Sequence, residues 1–204
     1  MRLLYGTTNK SKVSFMQRTV AHLGIEILSL ADILAPKLRI EESGGSPLEN
    51  ARIKAAAYYD VLKVPLFSCD SGLYIDGLAK DRQPGLNIRG LGDCMNDDET
   101  IAYYCALADE MGGAMTARYK NAICLILDNG QIYESMDGDI ATKPFILTSI
   151  PHKKRNPGFP LDSLSVHIES GKYYFDMTDN ERFTESYKGF AKFFQGLLEA
   201  GSLV

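Results

Sequence analysis

Apolar and polar positions follow two periods along this chain, and the switches between them mark the elements. Residues 2–5 form a short apolar run that predicts a first β-strand. After the polar stretch Gly6-Thr7-Thr8-Asn9-Lys10-Ser11-Lys12, Val13, Met16, Val20 and Leu23 recur at helical spacing, and Gly24 serves as C-cap. Residues 25–30 predict a second strand, followed by a connection whose end, at Glu41-Glu42, reads as a further strand end before Gly44-Gly45. The next helix has a marked start, with Ser46 as N-cap, Pro47 in the first position and Glu49 completing a capping box. It runs through Asn50-Ala51-Arg52-Ile53-Lys54-Ala55-Ala56-Ala57 to about Leu62. Residues 64–69, opening at Pro65, predict a strand that enters an Asp70-Ser71-Gly72 turn, so that Asp70 projects from its carboxyl end.

The second half alternates differently. Past Leu73 and a loop holding Pro84-Gly85 and Arg89, Asn96 and Glu99 cap a helix that runs to Met111 and stops at Gly112-Gly113. Residues 116–127 and 131–136 predict two strands with one buried face, joined through Asp128-Asn129-Gly130, a strong hairpin signal. Another strand is expected around residues 139–142, and a looser segment over 145–150. The basic stretch from His152 to Gly158 is broken by Pro157 and reads as a loop. Asp179 or Asn180 caps a final helix on which Phe183, Tyr187, Phe190, Phe194 and Leu197 form a core stripe. Strands alternating with helices make this an α/β chain.

Composition narrows the function. A length of 204 residues suits one large domain or two lobes sharing a core, here taken as a single domain over residues 1–204. The net charge of −4 argues against a general nucleic-acid binder, whose footprint is basic. Cys69, Cys94, Cys105 and Cys124 are widely spaced, without a Cys-x-x-Cys pair, and read as reduced, mostly buried thiols of a cytoplasmic protein. The first residues are too short for a signal-peptide core, and no apolar run approaches a membrane span.

Candidate chemistry gathers at the strand ends. The strand–polar loop–helix unit around Thr7, Thr8 and Asn9 offers an anion backbone N–H groups, the helix dipole and the charge of Lys12, although its glycine spacing is not that of a Walker A loop. In α/β sheets this carboxyl rim is where ligands bind. Glu41 and Asp70, from separate strand ends, suit a shared hard cation such as Mg²⁺, and Lys54 reaches back from its helix toward an anion held there.

Three blocks together resemble a known family. Thr7-Thr8-Asn9-Lys10-Ser11-Lys12 resembles the Thr-Gly-Asn-x-x-Lys loop of the inosine triphosphate pyrophosphatases. Glu41-Glu42-Ser43-Gly44 with Glu49-Asn50-Ala51-Arg52-Ile53-Lys54-Ala55 resembles their Glu-Glu-Thr-Gly and Glu-Asn-Ala-x-x-Lys-Ala block, and Asp70-Ser71-Gly72-Leu73 with Pro84-Gly85 matches their Asp-Ser-Gly-Leu and Pro-Gly pair. The C-terminal half departs from the pattern. Gly158-Phe159-Pro160-Leu161-Asp162-Ser163 stands where the family has Gly-Phe-Gly-Tyr-Asp-Pro, Ser186-Tyr187-Lys188 where it has Ser-His-Arg, and Arg182 where it has lysine.

The resemblance implies a long, twisted mixed sheet flanked by helices, in two lobes with a nucleotide cleft between them, commonly as a homodimer. It implies Mg²⁺-dependent hydrolysis of non-standard purine nucleoside triphosphates, of the inosine and xanthosine type, to monophosphate and pyrophosphate. Glu41 and Asp70 would hold the metal, and Asp70 would activate or position the attacking water. Thr7, Thr8, Asn9, Lys12, Lys54, Arg89 and Arg182 would serve the phosphate side of the substrate, and Ser71 would also bind it. Phe159 offers a stacking face, while Asp162, Ser186, Tyr187 and Lys188 complete the base side; Lys188, all donor, favours a 6-keto oxygen. Two other readings stand beside this one: a Maf-like pyrophosphatase acting on other nucleotides, and a nucleotide-binding regulator without turnover.

Overall fold

The computed structural model describes residues 1–90, 94–136, 138–178 and 188–203. Its contacts divide the chain into two compact units, residues 1–71 with 121–141 and 187–204, and residues 72–120 with 142–186. Among the described residues, seven strands make one mixed sheet in the order β2-β1-β3-β4-β6-β7, with β5 paired to β4.

In the first unit, β1 (Arg2–Tyr5) lies parallel between β2 (Glu26–Ser29) and the start of β3 (Leu66–Ile75), so that Tyr5 stands opposite both Ser29 and Phe67. Parallel strands need covered faces, and alternate side chains supply them. Leu3, Tyr5 and Phe67 pack with Val13, Met16 and Val20 of α1 (Lys10–Val20) and with Phe190 and Phe194 of α4 (Lys188–Glu199). Leu4 and Leu66 face the other way, onto Ala51, Ala55 and Tyr58 of α2 (Pro47–Leu62). Tyr5 stacks on Phe67 at 4.4 Å between ring centroids, and Phe194 meets Phe67 edge-on at 5.4 Å. This aromatic column backs the strand that carries Asp70.

Helix α4 approaches the turn at residues 138–140 through Gly189, where an added Cβ would overlap the carbonyl oxygen of Asp139. Backbone cannot yield as a flexible side chain does. Gly189→Ala is therefore expected to cost about 2 kcal/mol, as overpacking typically does, and a thermal melt should show Tm several degrees lower, whereas an unchanged Tm would mean the helix can shift freely.

The second unit is built on the second halves of β3 and the first half of β4 (Ala114–Ile126), with β6 (Phe145–Thr148) antiparallel to β4 and β7 (Ser165–Val166) antiparallel to β6. Helix α3 (Asp97–Glu110) packs Ile101, Tyr104, Leu107 and Ala108 against Leu73, Ile75, Met115 and Leu147. In the first unit, the far half of β4 pairs with β5 (Ile132–Ser135), the hairpin expected at Asp128-Asn129-Gly130. No helix among the described residues is long and apolar enough to cross a membrane.

Local signals gave the helix starts well. Asn96 and Glu99 form the full capping box, and Ser46 accepts the Glu49 N–H. The Glu49 carboxylate, however, accepts from Gly45 rather than from Ser46, at 2.6 Å. Three expectations are corrected. The Asp70-Ser71-Gly72 stretch is not a turn: β3 runs through it, because Leu73 exchanges two backbone hydrogen bonds with Gly85, at 2.8 and 2.9 Å. The segment leading to Glu41-Glu42 is irregular rather than a strand, with Pro36 lacking the ladder donor. The strand expected over 139–142 is a 3₁₀ turn, Gly138–Ile140, while the looser segment after it contains β6. The cap expected at Asp179 or Asn180 lies outside the described residues.

Candidate active site

Strand β3 outruns its neighbour β1, whose register with it ends at Tyr5 and Phe67. Asp70 thus stands beyond the end of β1, on the rim expected from the sequence although within its own strand. The alternation of β3 places Ser68 and Asp70 toward α2. There Asn50, Lys54 and Tyr58 fall one turn apart and form a single line of side chains. The close approach leaves no room beside β1: a Cβ at Gly6 would come 2.5 Å from Ser68 Oγ and 3.1 Å from the Tyr58 ring.

Both oxygens of Asp70 are held by α2. Lys54 Nζ donates to Oδ1 at 2.9 Å and Asn50 Nδ2 donates to Oδ2 at 3.2 Å. Lys54 Nζ also donates to Glu42 Oε2 at 2.9 Å, so one ammonium bridges two carboxylates. Burial alone would lower the pKa of Lys54, but the Asp70 and Glu42 carboxylates more than offset it and hold the ammonium above its ordinary value. Asn50 is buried, and its Oδ1 accepts the Gly44 N–H at 2.9 Å, which ties the Glu41–Gly44 loop to the same helix. The fit there is tight: a Cβ on Gly44 would lie 2.6 Å from Glu49 Cβ and 2.7 Å from Asn50 Oδ1.

Behind Asp70, burial pushes the Cys69 thiol up to about 12, against a hydrogen bond from Tyr5 and the pull of Lys12 and Lys54. Tyr5 is itself pushed well up by burial, with Cys69 and Asp70 adding to the shift. Both groups remain protonated at neutral pH, so the field at this rim comes from Asp70, Glu42, Lys12 and Lys54. All four cysteines are free thiols; Cys69 and Cys124 are buried as expected, but Cys94 is exposed.

The other residues singled out in the sequence fall as follows. Asn9 is the N-cap of α1: its Oδ1 accepts from the Ser11 and Lys12 N–H groups, at 2.9 and 3.2 Å, and Thr7 Oγ1 accepts from Asn9 N–H. Two of the helix donors offered to an anion are thus already engaged. Thr8 is exposed. Ser71 points to the opposite face from Asp70 and donates to Asn121 Oδ1 at 2.7 Å, while Asn121 Nδ2 donates to the Ile140 carbonyl. Glu41 is exposed, and it is its neighbour Glu42 that reaches Lys54. Lys188 is exposed at the start of α4. In the second unit, Arg89 pairs with Asp97, Asp162 accepts from Asn156 Nδ2 at 2.7 Å, and Phe159 is exposed. Arg182, Ser186 and Tyr187 lie outside the described residues. Sequence reasoning missed Asn50 as a site residue; the signal for it was its position one turn before Lys54.

The donor set suits a hard divalent cation. Asp70 and Glu42 already converge on a positive charge through oxygen atoms, and Mg²⁺ takes one or two carboxylates with waters and substrate phosphates rather than a full protein cage. No group of three or more His, Cys, Asp or Glu that could hold a metal occurs among the described residues.

Comparison with known proteins agrees with the fold and reaches nearly the whole chain. The chain is 30% identical over 190 residues to the dITP/XTP pyrophosphatase of Rhodopseudomonas palustris, covering 89% of this chain and 84% of that protein. It is likewise 30% identical over 205 residues to the dITP/XTP pyrophosphatase of Thermus thermophilus, covering 98% and 91%. The solved structure of a HAM1 protein from Coxiella burnetii superimposes with a TM-score of 0.73 over the full length of both chains at 22% identity, a likeness of fold. The profile of the Ham1 family matches residues 3–191. With Asp70, Lys54 and the Glu41–Gly44 loop inside that span, the chain belongs to the Ham1 family.

Proposed function

We propose that this protein hydrolyses non-standard purine nucleoside triphosphates of the dITP and XTP type to the monophosphate and pyrophosphate, with Mg²⁺. The observation that carries the reading is Asp70 itself: a carboxylate 13% exposed, held at both oxygens by Lys54 and Asn50 beside a polar helix-start loop. The names of the relatives in the same family support the substrate class.

An ionised carboxylate accepts up to four hydrogen bonds, so Asp70 keeps lone pairs for a water after taking those from Lys54 and Asn50. It accepts the proton as that water attacks the α-phosphorus, and the leaving group is pyrophosphate. Lys54 and Lys12 set positive charge where the phosphates arrive, and the N-terminus of α1 adds its dipole. Asp70 with Glu42, and Glu41 beside it on the loop, would hold Mg²⁺, which when bound neutralises phosphate charge and fixes the triphosphate against the water. Phe159 stacks on the base, with Asp162, Ser186, Tyr187 and Lys188 on its polar edge and Arg182 on the phosphates. The protein acts as a cytoplasmic homodimer, which sedimentation and fractionation check.

Pyrophosphate release should be measured with inosine, xanthosine, guanosine, adenosine, uridine and thymidine triphosphates in Mg²⁺, and is expected to be fastest with the first two. Preference for a pyrimidine would reassign the enzyme, and binding without release would make it a regulator. Hydrolysis in ¹⁸O-labelled water is expected to place the label in the monophosphate. Label in pyrophosphate would reject attack at the α-phosphorus.

A further inference from the structure

In the second unit, Arg89 and Asp97 form one connected clamp with Gly158, 61 residues beyond Asp97. Arg89 Nη2 donates to Asp97 Oδ1, and Gly158 N–H donates to Asp97 Oδ2 at 2.8 Å. Arg89 is anchored in turn by Met95: Nη1 donates to the Met95 carbonyl at 3.2 Å, and Met95 N–H donates to the Arg89 carbonyl at 3.1 Å. Asp97 sits in the first turn of α3, fixed by the Asn96–Glu99 capping box, so the carboxylate projects from a rigid element. On the far side, Gly158 has φ +84°, a conformation that favours glycine, and nothing crowds its Cβ direction. Its requirement is conformational, and its N–H is aimed at Asp97.

The residue after Gly158 is Phe159, which is 44% exposed. Phe159 N–H donates to the Asn156 carbonyl at 2.8 Å, Asn156 Nδ2 donates to Asp162 Oδ2 at 2.7 Å, and Pro160 opens the 3₁₀ turn Pro160–Ser163. An exposed aromatic ring thus sits on a short loop closed on itself and tied by one charge-assisted bond to a helix N-terminus. The Gly158 N–H and then the Arg89 guanidinium hold the Asp97 carboxyl below its ordinary pKa. Arg89, by contrast, spends its guanidinium within the protein. With Nη1 on the Met95 carbonyl and Nη2 on Asp97, both arms of its fork are engaged within its own unit.

We infer that Arg89 and Asp97 are positioning residues for Phe159, so that the Arg89–Asp97–Gly158 clamp sets the enzyme's grip on the nucleobase and Arg89 makes no phosphate contact. This rests on the reading of Phe159 as the ring that stacks on the base. A pre-set ring spares the substrate the cost of ordering it, and that saving is the same in the ground and transition states, so it appears in KM.

The test compares Asp97→Ala, Asp97→Asn, Arg89→Ala and Phe159→Ala on inosine triphosphate, with inorganic tripolyphosphate, which has no base, as a competitive inhibitor. Asp97→Ala is expected to raise KM about tenfold, the scale of one base–aromatic stack, with kcat changed far less and the tripolyphosphate Ki unchanged. Asp97→Asn keeps an acceptor for Gly158 N–H and should recover much of the loss. Arg89→Ala should follow Asp97→Ala, and Phe159→Ala combined with Asp97→Ala should be no worse than Phe159→Ala alone. A tripolyphosphate Ki that rises with Arg89→Ala would overturn the inference and return Arg89 to the phosphates. An unchanged KM for Asp97→Ala while Phe159→Ala is impaired would overturn the clamp alone. If Phe159→Ala leaves KM unchanged, the stacking reading fails and the clamp has no ring to position.

Discussion

Asp70→Asn is expected to lower kcat by about a thousandfold, within the range that a positioned proton acceptor contributes, while the protein remains folded. The amide is nearly the same size but takes no proton. Its surroundings add a second cost. Lys54 donates to one oxygen of Asp70 and Asn50 to the other, so both neighbours are donors. An asparagine at this position satisfies one of them and turns its own NH₂ toward the other, whichever way the amide is flipped. That conflict is expected to cost about 1–3 kcal/mol of stability, partly relieved because Lys54 keeps Glu42. The measurement is pyrophosphate release beside a thermal melt. A near wild-type rate would remove Asp70 from the chemistry, whereas lost rate with lost fold would call for Asp70→Ser, which relieves the donor clash without restoring the base.

Lys54→Met is expected to lower kcat/KM by about a hundred- to a thousandfold, the scale of losing one preorganised charge at a reacting centre. The side chain is 13% exposed and bridges Asp70 and Glu42. On the proposed function, removing it takes a cation from the phosphates, and it leaves two carboxylates without their common partner. Lys54→Arg should recover part of the loss, since it restores charge but not the compact geometry. The pH dependence has a definite sign. Lys54 has a folded-state pKa above its unfolded value of about 10.4. Its contribution to stability is therefore fully present below that unfolded value and is lost as pH rises through the folded one. Denaturation of wild type and Lys54→Met should differ by a constant amount from pH 6 to 9 and converge only in alkali. A difference that vanished at neutral pH would mean that the bridge carries no stability.

The sequence by itself determined the features that are closed within a few residues. Asn96 and Glu99 cap α3 reciprocally, Ser46 and Pro47 start α2, and Asp128-Asn129-Gly130 turns the hairpin, because each of these bonds a side chain or turn to backbone nearby. The sequence also set Lys54 reaching back from its helix, although toward an anion rather than toward Asp70, the carboxylate that it meets. Asn50 was one turn away from being read with them.

Tertiary structure decided the rest. Whether Asp70-Ser71-Gly72 turns or continues as strand depends on Gly85 meeting Leu73, and local propensity, which favours a turn there, is outweighed by a paired ladder. Of two adjacent glutamates on an irregular loop, Glu42 rather than Glu41 reaches Lys54, because the loop's path is set by Gly44 hydrogen-bonding to Asn50. The same holds for the ion pair of Arg89. Its partner Asp97 lies on the next helix, and Asp97 in turn binds Gly158, 61 residues further on. Caps and turns act over distances that a sequence pattern spans, whereas strand partners and ion pairs are chosen by residues that only folding brings within reach.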